Sequence, residues 1–559
     1  MQATRWMPGV LRRFSDRQVL FLLAGCVALP LAAFVLYPLW AILKMSLLTP
    51  AGQWSLGNYA QFFSEPRLVG IVYNSLYMAV TTTILTILLA FVFAYTIMRS
   101  AIPAKRLWSL IAMLPLFAPS LVHAMGFQFL LGRSGILNMA FDLGVDIYGF
   151  WGLVLSNTLY AFPHAVLILQ AALAFADQRM HESAVMLGAS RWRIFWTVTL
   201  PGTRYGLMSA IFVVFTATIT DFGNAIIIGG DYKVLATEIY TQVIGQANFH
   251  LGAVVSVVLL FPAAIAVGID RWVSGRQTAL VTESYVPLKL SPHRLRDGLL
   301  LGYAMAVCGM LSVVIGIVIY ASFVRMWPYS FALSLHHYLE ADLQNGFEPL
   351  FNSITMALTT ALLGIALTTA TAYAVQKVRH PFTRALYFLS ILPAAVPGMV
   401  LGLGYIFVFN NPANPLVFLY GTLPLMAINT VYHYHAQGFL TASTSLKQVS
   451  ATFDEASAML GAGVLRTVRR ITLPIVWPSL VRLGVFFFMR AMVTLSAVIF
   501  LFSPAANVAS VTVMQLEDGG NTAQAAAFST LIMVTVVAVL ALFQGLLRLV
   551  GVRNVSLIG

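Results

Sequence analysis

ESAVMLGASRWRIFWTVTLP, residues 182 to 201, returns in recognisable form as EASAMLGAGVLRTVRRITLP at 455 to 474. Glu182 matches Glu455, Gly188 matches Gly461 and Pro201 matches Pro474, all at one offset of 273 residues and without a gap. The copy extends outward. YNSLYMAVTTTILTILLAFVFAY (73 to 95) aligns with FNSITMALTTALLGIALTTATAY (351 to 373), and LPLFAPSLVHAMGF (114 to 127) with LPAAVPGMVLGLGY (392 to 405), both at an offset of 278. NTLY (157 to 160) answers NTVY (429 to 432) at 272. The chain is a tandem repeat, and its two halves are expected to share one fold.

Composition sets the class. Of the 559 residues 59% are hydrophobic and 9% charged, with a mean hydropathy of +0.85, far from soluble norms of roughly 45–50% apolar and about 25% charged. The partner of this surface is a lipid membrane. A net charge of +13 does not point to nucleic acid, because the basic residues are scattered as short clusters between apolar runs instead of forming one face or tail. Cys26 and Cys308 both lie within apolar runs and far apart, which supports neither a disulfide framework nor a thiolate metal site. LAGC (23 to 26) has the look of a lipid-attachment signal, but the apolar run continues past Cys26 to about residue 43, so a first transmembrane helix is expected there.

Apolar runs of around 20 residues predict spans near 19–43, 69–98, 108–131, 148–176, 205–229 and 250–270, then near 298–323, 350–376, 386–409, 413–440, 478–502 and 525–548. The expectation is an all-α polytopic membrane protein of about twelve transmembrane helices, six per half. With the N-terminus inside, 26 of the 32 Lys and Arg residues fall on the cytoplasmic side, as the positive-inside rule requires. An even number of spans per half makes the repeat parallel, with the halves related by an axis along the membrane normal. The first half covers 1–270 and the second 298–559, joined by a polar cytoplasmic linker at 271–297.

The doubled motif reads as a helix-turn-helix on the cytoplasmic surface. ESAVML and EASAML are short helix formers opening on an acid that suits a helix N-terminus, and Thr452 and Glu455 stand at capping-box spacing. Gly188 and Gly461 permit a turn; a basic amphipathic segment follows and ends at Leu-Pro, where the next span starts. One such segment would simply rest on headgroups. Two near-identical copies favour a paired docking site for a two-fold symmetric partner.

These residues carry a family resemblance. Glu182, Ala184, Gly188, Ala189, Leu200 and Pro201, with Glu455, Ala456, Gly461, Ala462, Leu473 and Pro474, resemble the EAA coupling loops of bacterial ATP-binding-cassette importer permeases; Ser183 and Ser457 each replace an Ala of that pattern with another small residue. The chain is similar to the fused, two-half permeases for ferric iron and for 2-aminoethylphosphonate. The resemblance implies a type I importer permease in the bacterial inner membrane, with both termini cytoplasmic. It also implies a homodimeric cytoplasmic ATPase docked on the two loops and a periplasmic substrate-binding protein at the outer face. The chain itself would be no enzyme and bind no cofactor, ATP belonging to the partner, in keeping with the lack of a G-x-x-x-x-G-K-[ST] phosphate loop in the sequence. DYKVLATEIYTQVIGQANF (231 to 249) and DGGNTAQAAAF (518 to 528) look closer to the aminoethylphosphonate permeases than to the ferric ones. Ferric iron is the alternative substrate, and a proton-coupled secondary transporter the distant alternative function, since it would carry more intramembrane carboxylates or a His relay than Asp221 supplies.

His433 and His435 are two apart, which on a helix points them to opposite sides, so no metal site is expected there. Two charges fall inside spans. At the 273 offset Arg490 matches Ala217 and Asp221 matches Thr494, so each charge belongs to one half alone. A central Arg costs roughly 2.5–3.5 kcal/mol on insertion scales, which disfavours a lipid-facing placement. Asp221, Arg490 and Thr494 are therefore the pathway candidates, the two charges forming a gate pair or receiving opposite ends of a zwitterion. Charge reversal separates these roles: Arg490→Asp and Asp221→Arg each impair uptake, and the double swap restores part of it for a gate pair and none for a substrate site.

Overall fold

The computed structural model describes residues 16–174, 178–277, 292–339, 346–378 and 380–549. The first half comprises α1 (Asp16–Ser46), α2 (Pro66–Arg99), α3 (Ser120–Leu131), α4 (Phe150–Ala174), α5 (Gln178–Met186), α6 (Leu200–Ile219), α7 (Gly223–Ile228), α8 (Leu235–Tyr240) and α9 (Phe249–Gln277). The second begins with α10 (Arg294–Ser322), which leads into an antiparallel hairpin of β1 (Val324–Met326) and β2 (Ser330–Leu333). It continues through α11 (Glu348–Lys377), α12 (Gly398–Phe409), α13 (Leu423–His433), α14 (His435–Lys447), α15 (Ala451–Met459), α16 (Leu473–Val493), α17 (Ala509–Asp518) and α18 (Thr522–Leu549). Both ends of the expected linker 271–297 are helical, α9 reaching Gln277 and α10 starting at Arg294; its middle, 278–291, lies outside the described residues.

Among the described residues nine helices are long and apolar enough to cross a membrane, or ten if one bent pair counts as a span. The expected spans at 108–131, 386–409 and 413–440 are broken. In the third segment of each half a proline stops the helix: Ala118 before Pro119 and Val396 before Pro397 are both extended, the conformation a following proline imposes. The chain turns there, by 110° between 382–395 and α12. At 413–440 the break falls at Tyr434 between α13 and α14, so the helical argument that separated His433 from His435 does not apply to the local backbone. The fifth spans also stop early. α6 ends at Ile219 and α16 at Val493, leaving Asp221 and Thr494 just past helix ends, not inside continuous spans to 229 and 502.

The repeated polar residues hold these breaks. Ser75 Oγ accepts the Leu235 N–H at 2.7 Å and Asn74 Nδ2 donates to the Lys233 carbonyl at 3.2 Å. In the second half Ser353 takes the Ala509 N–H at 2.8 Å and Asn352 reaches the Asn507 carbonyl at 3.0 Å. Asn157 accepts from Asn224 at 3.2 Å, and its counterpart Asn429 donates to the Ala497 carbonyl at 2.6 Å.

The halves interlock through their first spans. The 37–46 part of α1 packs on α12, while α10 packs on α3. Each crossing centres on a matched glycine. A Cβ on Gly126 would lie 2.5 Å from the Val314 carbonyl oxygen, and one on Gly404 would lie 2.9 Å from that of Pro38. Close backbone approach of this kind is the usual source of helix association in lipid, where apolar area alone drives little. Gly126→Leu and Gly404→Leu are each expected to cost about 1–3 kcal/mol of overpacking and to lower the melting temperature of the purified protein. Gly302→Leu on α10, where open space surrounds the position, is expected to leave it unchanged.

Candidate functional site

The two loops are built alike. α5 ends at Met186, and Gly188 follows at φ +74°; α15 ends at Met459, and Gly461 follows at φ +69°. Ala189 N–H bonds the Ala184 carbonyl at 3.0 Å and Gly188 N–H that of Val185 at 2.9 Å; Ala462 and Gly461 bond Ser457 and Ala458 at the same distances. This is the Schellman arrangement, which needs a left-handed residue at the glycine. A Cβ at either glycine meets open space, so backbone conformation and not crowding demands glycine there. One helical turn (Arg191–Ile194, Val464–Thr467) and a π turn (Phe195–Thr199, Val468–Thr472) then lead into α6 and α16. Pro201 and Pro474 fall in the first turn of those helices, where a missing N–H costs nothing.

The helix starts differ from expectation. Glu182 and Glu455 sit inside α5 and α15 instead of opening them, and α15 is capped by Ser450, whose Oγ accepts the Thr452 N–H at 3.3 Å. The Thr452–Glu455 capping box is therefore not formed. Each turn thrusts a large apolar pair outward: Met186 and Leu187 are 88% and 86% exposed, Met459 and Leu460 90% and 86%. Of the remaining motif residues Glu182, Glu455, Ala456, Pro201 and Pro474 are exposed, and Ala184, Ala189 and Ala462 half-buried. The second loop is tied back to the bundle by an Asp454–Lys377 ion pair on α11 and by the Val464 N–H donating to Asp16 of α1 at 3.1 Å. Its two helices are joined by the Ser457 and Thr467 hydroxyls at 2.5 Å.

A cavity of about 230 Å³ lies between the halves at the far ends of α6 and α16. Asp221, Arg490 and Thr494 all line it, so the sequence-expected pathway residues do come together. Asp221 and Arg490 do not form an ion pair among the described residues. Arg490 Nη2 donates to His164 Nε2 at 2.7 Å, and the guanidinium stands 5.6 Å from the Tyr434 ring and 5.8 Å from that of Phe486. A guanidinium only donates, so this bond places the imidazole proton on Nδ1. Asp221 accepts the Asn224 N–H at 2.9 Å and the hydroxyl of Ser120, the first residue of α3. Sequence reasoning missed His164 and Tyr434; His164 stands four residues after Tyr160 on α4, the spacing that puts both on one helix face, and both line the cavity.

A bundle of broken spans closed around a polar cavity, with two matching loops at one end, is the architecture of a solute permease. A family model described as binding-protein-dependent transport system inner membrane component matches residues 83–278 and again 363–553, and the chain belongs to that family. Among curated relatives, a putative ferric transport system permease protein FbpB of Haemophilus influenzae is 29% identical over 85% of this chain and 77% of its own length. The ferric transport system permease protein FbpB of Actinobacillus pleuropneumoniae is 27% identical over 91% of this chain and 76% of its own. A putative 2-aminoethylphosphonate transport system permease protein PhnU of Salmonella typhi is 26% identical over 43% of this chain and 86% of its own. The protein is a multi-span, non-enzymatic permease component of an ATP-binding-cassette importer, a class that works with an ATPase and a periplasmic binding protein.

Gly188→Val and Gly461→Val should each distort a loop, since a β-branched residue in a left-handed conformation costs roughly 1–3 kcal/mol. Membrane insertion is expected to persist while association with the ATPase subunit and ATP-driven uptake fall; unchanged uptake in both variants would remove the coupling role from these turns.

Proposed function

We propose that this chain is the fused permease of an importer that carries a small solute inward, with 2-aminoethylphosphonate as the substrate. Two copies of one cytoplasmic ATPase dock on the loops at 182–201 and 455–474, and ATP is bound there and not by this chain. Both termini and the linker between the proposed halves 1–270 and 298–559 are cytoplasmic, and a periplasmic binding protein delivers substrate to the opposite end. The observation that carries the coupling is the pair of matching turns, each presenting an exposed Met-Leu pair on the same Schellman frame. Two like surfaces on one chain suit a two-fold partner. The substrate reading is supported by a cavity that places a cation, Arg490, and a carboxylate, Asp221, on opposite halves, which suits a solute bearing an anionic and a cationic end. Ferric iron is the second reading, favoured by relatives named for ferric transport that align along most of the chain.

Reconstitution of the permease with its ATPase and binding protein in proteoliposomes tests both. ATP-dependent uptake of radiolabelled 2-aminoethylphosphonate is expected, and iron uptake in its place would select the second reading. Uptake that needs a proton gradient and no ATPase would replace the importer reading altogether.

A further inference from the structure

Matched segments of the two halves line the cavity and differ in the charges they carry: Asp221 stands against Thr494 and Arg490 against Ala217, and the first half adds Asp270 and Arg271. α3 and α12 are matched twelve-residue helices; both start directly after a proline, at Ser120 and Gly398, both lack a side-chain cap, and both starting residues line the cavity. Around each start the packing is mirrored with the partners exchanged. A Cβ on Gly223 would sit 2.2 Å from Ser120 Oγ, and one on Gly398 would sit 2.5 Å from Ser496 Oγ. Gly223 and Ser496 match at the 273 offset, Ser120 and Gly398 at 278.

In the first half an internal carboxylate stands beside this helix start: Asp221 accepts the hydroxyl of Ser120, the first residue of α3, and the backbone N–H of Asn224 in α7. Negative charge is stabilised at a helix N-terminus, where free N–H groups point outward. At the matching place in the second half the chain supplies Thr494, not a carboxylate. Thr494 is 3% exposed, lines the cavity, and its Oγ1 has no hydrogen-bond partner among the described residues. Arg490, one helical turn earlier on α16, adds a positive charge on that side, and its described hydrogen bonds go to the His164 imidazole and the Tyr160 hydroxyl and not to an acid.

We propose that the cavity is an oxyanion site in the translocation path. A phosphonate, phosphate or carboxylate group of the transported solute sits between Arg490, Thr494 and the start of α12, in the place that Asp221 takes at the start of α3. Arg490 gives charge and a two-pronged donor, the pairing that oxyanions favour. Thr494 donates its hydroxyl, and Asp221 faces any cationic end of the same solute. A site of this design selects for the oxyanion before it selects for the rest of the molecule. The inference rests on the importer reading and names its substrate class.

Titration calorimetry on the purified permease–ATPase complex tests it, with methylphosphonate, inorganic phosphate and 2-aminoethylphosphonate as probes. The oxyanion probes are expected to bind, and Arg490→Gln to weaken them roughly tenfold to a hundredfold, the range for a lost hydrogen bond to a charged group. Arg490→Gln combined with Ala217→Arg returns the charge from the matching position of the other half, which also lines the cavity, and is expected to recover part of the affinity. Asp221→Thr should weaken 2-aminoethylphosphonate more than methylphosphonate. Thr494→Asp supplies the missing carboxylate from the chain itself. It is expected to abolish probe binding without lowering the melting temperature, which keeps the test independent of any variant that folds poorly. Absent binding to the wild type, wild-type affinity in Arg490→Gln, or undiminished binding in Thr494→Asp overturns the site. ATP hydrolysis by the complex and a parallel titration of the permease alone separate the two levels: coupled hydrolysis with no oxyanion binding sinks the site alone, whereas binding that obeys these variants in a permease that fails to associate with the ATPase sinks the proposed docking on the loops and leaves the site standing.

Discussion

Backbone that breaks inside a bilayer must find its hydrogen bonds within the protein, because hydrocarbon offers none. This chain breaks its third and fifth spans in both halves, and the polar residues of its repeats bond to the segments that follow the fifth. Asn157 and Asn429 reach the segments just past α6 and α16, and Ser75 and Ser353 take up the first N–H groups of α8 and α17. Broken helices so satisfied open a polar space where continuous helices would have packed side by side. The cavity is the direct result.

The same construction joins the cavity to the loops. α6 and α16 run from the π turns that follow the two loops to Ile219 and Val493 at the cavity, a length of about 30 Å at 1.5 Å per residue. A displacement of a loop is therefore delivered to the cavity by a stiff element and not dissipated in a flexible linker. The interlocked first spans oppose separation of the halves: the glycine contacts at Gly126 and Gly404 bring backbone against backbone, and Asp16 of α1 touches the loop of the other half.

Repetition and difference divide the work. The residues that repeat, among them the Asn-Ser pairs, the prolines at 119 and 397 and the glycine turns, shape and hold backbone. The residues that fail to repeat carry charge: Arg490 against Ala217, and Asp221 against Thr494. Breaking the symmetry at these two positions sets the Arg490 guanidinium and the Asp221 carboxylate on opposite halves of the cavity, alongside Asp270 and Arg271 of the first half.

Membrane residence, the two-half organisation, the positions of the coupling turns and even the left-handed glycines were determined by the sequence itself, because hydropathy, repetition and turn chemistry are local properties legible in short windows. Gly188 and Gly461 need positive φ whatever surrounds them, whereas the expected spans 108–131 and 386–409 ran through Pro119 and Pro397, where the helix stops. The span count was less legible, since an apolar run looks the same whether its helix is straight or bent by 110°. Sequence alignment placed Arg490 and Asp221 in corresponding helices but could not say what each one touches. That was decided by tertiary structure: the guanidinium finds His164, 326 residues away in the chain, and the carboxylate finds the start of α3, because the interlocked packing of two unlike copies, and no local pattern, determines which side chains share the space between them.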